Sequence, residues 1–110
     1  MLINYDSIKT ASDAAQAIDD NFKARISCLE AIANTPVVSK ATKKTGTITD
    51  ISKDSLFLNF ESWSSVPIPV DSYREIIETD ETTNSLIGRY LQTFAEERKL
   101  NRLIIKLSKA

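Results

Sequence analysis

The chain contains no histidine, so the commonest general base and the commonest zinc ligand are missing together. Its single cysteine, Cys28, has no imidazole to take its proton and projects to the margin of a helix, which reads as a structural thiol. No serine stands in a G-x-S-x-G turn, and Gly46 and Gly88 are isolated, so no nucleophile elbow or phosphate-cradling loop is written. Carboxylates remain. Asp19 with Asp20, and Asp50 with Asp54, could in principle exchange protons or hold magnesium. Aspartates beside a turn more often bond backbone amides, and those on a helix face solvent. The expectation is a protein that is not an enzyme, with no catalytic residue, metal or cofactor.

Binding chemistry is better represented. The segment ERKLNRLIIKLSKA carries Arg98, Lys99, Arg102, Lys106 and Lys109, with no acid after Glu97. Such a row either favours the end of a helix or meets phosphates. Trp63 sits in a polar stretch, where an indole folds over the core or is presented to a partner, the first being the more usual fate. Arg25 is the one charge inside an apolar arc that includes Phe22 and Leu29. It either snorkels past the core edge or pairs with an acid across an interface. Pro67 and Pro69, two residues apart in SVPIPVD, remove amide donors from one side of a strand only. That pattern predicts an edge strand whose other side still pairs.

The elements that must position these residues follow from periodicity. Residues 8–33 predict a long amphipathic helix, with Thr10, Asp6 or Ser7 as its cap and Pro36 as its limit. TGTITDIS and SLFLNFES, separated by turn residues, predict a hairpin, and Val66, Ile68 and Val70 a further strand beyond an SWSS loop. A short strand is expected at Val37–Ser39. Residues 80–99 return to helix, capped by Thr79 or Asp80, with Ile87, Leu91 and Phe94 as its stripe. Leu100, Leu103, Ile104 and Leu107 project to nearly the opposite side, which predicts a break near Lys99–Asn101 and then a final strand, or a short separate helix.

The run from Thr45 to Ile76 resembles, in its rhythm of strands and turns, the middle of SH3-like and Sm-like small barrels. Asp50–Ser52 is similar to the D-x-S part of the PilZ cyclic-dinucleotide motif. The glycine expected after it is replaced by Asp54 or Ser55, and the paired arginines before it are absent.

The totals set the frame. The chain has 110 residues, 42% hydrophobic and 26% charged, which suits one globular α+β domain: a long N-terminal helix, a small antiparallel sheet or partial SH3-like barrel, a second helix and a final strand or short helix. Expected core members are Ile18, Phe22, Leu29, Leu58, Phe60, Ile68, Leu91 and Phe94. A net charge of −1 gives the whole molecule no attraction to polyanions. A lone cysteine, no signal-like start and no apolar span point to the cytoplasm and away from a membrane. The expected function is a small interaction protein, an inhibitor, regulator or adaptor. Its partner would be another protein or a second copy bound through Phe22, Arg25, Leu29, Trp63, Pro67 or Pro69. The alternative is nucleic-acid binding through the basic C-terminal residues.

Overall fold

A computed structural model describes residues 3–109. After a single 3-10 turn at Tyr5–Ser7 comes helix α1, Ala11–Ile32. Its start is set by Thr10, whose hydroxyl accepts from the Asp13 amide while the Asp13 carboxylate accepts from the Thr10 amide, a reciprocal capping box. Its end is set by Asn34, which takes φ 65° and turns the chain into β1, Thr35–Ser39. Strands β2, Thr45–Ile51, β3, Ser55–Phe60, and β4, Trp63–Pro69, then run as a meander. A one-turn helix α2, Tyr73–Ile76, leads to β5, Ile77–Glu78, and the chain finishes in helix α3, Glu81–Ser108. All pairings are antiparallel in the order β4-β3-β2-β1-β5, and the sheet curls into a half barrel.

Alternation along the strands sends Val37, Ile48, Leu56, Leu58 and Ile68 to one face, where Cys28, Ile32, Ile87 and Tyr90 cover them. Gly46 leaves room for the Phe60 ring. A Cβ there would lie 2.6 Å from the Asn59 carbonyl oxygen and 2.6 Å from the Phe60 ring, so the aromatic ring lies where a side chain would otherwise stand. The Tyr90 hydroxyl donates to the Ile51 carbonyl at 3.0 Å, tying α3 to the end of β2.

The C-terminal segment differs from its sequence expectation. No break occurs at Lys99–Asn101, and residues 102–107 are neither strand nor separate helix but the last turns of α3. The two opposed stripes fit one continuous helix because different neighbours cover them. Ile87 and Tyr90 pack on the sheet, whereas Leu100, fully buried, lies beyond it, where α3 runs beside α1. At 1.5 Å per residue α3 is about 42 Å long, well past the edge of a five-stranded sheet. The antiparallel α1/α3 pair therefore projects as an arm. The molecule measures 57 × 20 × 19 Å with a radius of gyration of 16.9 Å, against roughly 13 Å for a compact chain of this length.

The arm also explains two other departures. Phe22, expected in the core, is 53% exposed, because α1 carries a wider apolar arc than α3 alone can cover. Ile18 is only half-buried for the same reason. Leu58 and Ile68 are buried, and Leu29, Phe60, Leu91 and Phe94 pack partly buried against the core. The SWSS stretch is not a loop: the turn is Glu61–Ser62, and Trp63 opens β4 opposite Phe60. Among the described residues, no helix is long and apolar enough to cross a membrane.

Candidate interaction surfaces

The residues singled out in the sequence fall on three separate surfaces. On α1, Ala14, Asn21 and Cys28, seven residues apart, form a buried line, and Asn21 donates to the Thr93 carbonyl of α3 at 2.8 Å. One residue further, about 100° round the helix, Ala15, Phe22 and Leu29 form a second line, with Ala11 and Ile18 beside it. Steps of four, three, four and seven from Ala11 to Leu29 are the heptad spacing of a helix-pairing seam. The middle of this seam, Ala15 and Phe22, is exposed, while Ala11 and Ile18 are half-buried and Leu29 packs against the core. Ile26, 37% exposed, widens the seam, and a cavity of about 370 Å³ lies at its foot between Ala15, Ile18, Asp19, Asn21, Phe22, Arg25 and Glu97.

Arg25 is consumed within the chain. Its Nε donates to Thr93 Oγ1 at 2.9 Å, its Nη2 to the Thr93 carbonyl at 3.2 Å and to Glu97 at 2.6 Å, and its guanidinium lies 3.9 Å from the Phe94 ring centroid. These contacts clamp α1 to α3, so its carboxylate partner is intramolecular.

The second surface is the β4 edge. Val70 donates its amide to the Asp54 carbonyl at 3.0 Å, on the β3 side, so by alternation Pro67 and Pro69 direct their nitrogens outward. Ser65 adopts φ 52° and donates to Asn59 Oδ1 at 2.8 Å instead of continuing the outer edge. A strand laid along Ser65–Pro69 would find no amide donor at Pro67 or Pro69. Trp63, weighed between a lid over the core and a position facing a partner, is 70% exposed. A two-residue turn places it at the start of an edge strand, where its indole has no second sheet above it.

The third surface lies on the arm. Of the five basic residues, Lys99, Arg102 and Lys106 share one face of α3 and, with Leu103 and Tyr5, line a cavity of about 420 Å³. Arg98 and Lys109 are exposed outside it. The 3-10 turn brings Tyr5 here: its hydroxyl donates to Glu96, and Lys99 Nζ lies 5.9 Å from its ring centroid. Burial, reinforced by the hydrogen bond and charge of Glu96, pushes the Tyr5 hydroxyl up to about 12, while that hydrogen bond holds Glu96 below the usual carboxylate range. Sequence reasoning missed Tyr5 because nothing in local spacing links an N-terminal turn to a helix some ninety positions away.

The carboxylate pairs do not assemble a site. Asp19 pairs with Lys23 at 3.0 Å on the exposed side of α1 next to Phe22, and Asp50 accepts from the Ile51 amide at 2.8 Å. Lys43 pairs with Glu78 at 3.8 Å. Among the described residues, no three His, Cys, Asp or Glu side chains converge on a position where an ion could sit. No protein-family model, curated protein or solved structure matched the chain.

Proposed function

We propose that this chain is a small non-catalytic interaction protein of a reducing, cytoplasmic compartment, and that the α1 seam is its principal docking surface, taken by the α1 of a second copy. The exposed middle of this helix face carries the reading: Phe22 and Ile26, 53% and 37% exposed, stand on a helix whose opposite neighbours are already packed. Water-facing aromatic and branched side chains in one row are costly to leave solvated, and burying them drives association.

The seam is self-complementary. In an antiparallel pairing centred on Phe22, Ala15 of one copy lies across from Leu29 of the other, Ile18 across from Ile26, and the two Phe22 rings meet at the axis, so apolar side chains face apolar ones throughout. The cavity beside Phe22 offers room for the partner's ring. Size-exclusion chromatography with light scattering tests this directly. The intact chain is expected as a dimer, and Phe22→Asp as a folded monomer with unchanged circular dichroism. A monomeric intact chain at high micromolar concentration would defeat the reading. Nucleic-acid binding has narrower support, since only three of the five cations converge.

A further inference from the structure

The groove on the arm combines two features. Its floor is apolar, made by Leu103 and the Tyr5 ring, and its other lining side chains are the cations Lys99, Arg102 and Lys106. None of these three makes an ion pair among the described residues. The nearby carboxylate, Glu96, is engaged by the Tyr5 hydroxyl. From this charge complementarity we infer that the groove is a docking site for an acidic amphipathic peptide segment, independent of the α1 seam.

Spacing supports a helical occupant. Residues 99, 102 and 106 stand at i, i+3 and i+7, so the cations run over about 10 Å of one helix face with Leu103 among them. An acidic helix laid along α3 repeats carboxylates at the same interval and turns one apolar side chain to the floor. A long polyanion fits less well. On the other side of the 3-10 turn, Asp13 and Asp20 line a neighbouring cavity, so a nucleic-acid strand leaving the groove in that direction meets like charge. The groove, about 420 Å³, suits a few side chains and not a duplex.

The test is fluorescence polarisation with a labelled helical peptide that carries glutamates at i, i+3 and i+7 around one leucine. The protein used is the full chain carrying Phe22→Asp, so that failure of the seam reading leaves this measurement intact. Saturable binding is expected, weakened at least tenfold by Arg102→Glu or Lys106→Glu and at least fivefold when the peptide's leucine becomes serine. Both protein variants alter exposed side chains, and circular dichroism verifies their fold. Absence of binding to millimolar peptide would overturn the proposal. So would tighter binding of a single-stranded oligonucleotide, or indifference to the peptide's leucine, since either marks a general polyanion surface. If Arg102→Glu in the intact chain dissociates a dimer, the occupant is a second copy and the peptide proposal fails.

Discussion

At the scale of single residues, the two glycines have opposite meanings that only their surroundings reveal. A methyl group at Gly46 meets the Asn59 carbonyl and the Phe60 ring at 2.6 Å, so Gly46→Ala is expected to destabilise the fold by roughly 1–3 kcal/mol through overpacking. Gly88 is a helix-interior glycine with nothing within 4 Å of where its Cβ would be. Gly88→Ala should stabilise by about 0.5–1 kcal/mol, because it removes backbone freedom from the unfolded chain and meets no neighbour. Urea denaturation of both variants beside the parent checks the pair. Arg25 teaches the same lesson: its place in an apolar arc was legible, but that its carboxylate is Glu97 of the same chain required the two helices to meet.

At the scale of elements, both long helices have an aspartate at their N-terminal end that accepts from backbone amides, Asp13 in the first turn of α1 and Asp80 as the cap of α3. Asp13 is held below the usual carboxylate range by the amide of Lys9, with Thr10 adding to it, and Asp80 by the amide and side chain of Thr83. A carboxylate whose folded pKa is depressed stabilises the fold above its unfolded value, near 4, and that stability disappears as pH falls through the depressed value. Helical circular dichroism should therefore fall off below about pH 4. Asp80→Ser keeps a capping oxygen that does not titrate, so its acid transition should be shallower. The Tyr5 anchor behaves in the opposite sense. Its folded value is raised to about 12 from 10.0, so its contribution is complete below 10 and is lost as pH rises toward 12. Tyr5→Phe should remove that alkaline step, read by spectrophotometric titration of the tyrosines. The capping motifs and strand alternation were local and hence readable. The continuity of α3 was not, because periodicity assumes one covering surface, and α3 has two. Leu100→Ala should cost about 2–5 kcal/mol and loosen the arm ahead of the half barrel, measurable as amide exchange rising first along 100–108.

At the scale of the whole molecule, a compact half barrel and a projecting helical arm divide the labour. The half barrel has buried its inner apolar face, with Trp63 and Ile76 left outside it, and carries Pro67 and Pro69 on its β4 edge. The arm has not buried all of its own. Two surfaces of different physics follow from this, and salt should separate them. The Phe22 seam is apolar, so dimerisation should change little between low and high ionic strength, whereas occupancy of the Lys99–Arg102–Lys106 groove should weaken steadily as salt screens its cations. Parallel light-scattering and polarisation measurements across a salt series check both expectations.

Sequence alone determined the α+β class, the long first helix, the strand run and the proline-marked edge, because each rests on neighbours a few residues apart: period, β-branching, missing amide donors. It also established the missing imidazole and the gathering of basic residues after Glu97. Tertiary structure alone decided that α3 continues through Leu100, that Trp63 and Phe22 face solvent, that Arg25 is spent within the chain, and that Tyr5 completes a groove with residues some ninety positions away. Each of these depends on which surface happens to cover a stripe. A side chain's own sequence states its appetite for burial, but only the packed chain states how much cover there is.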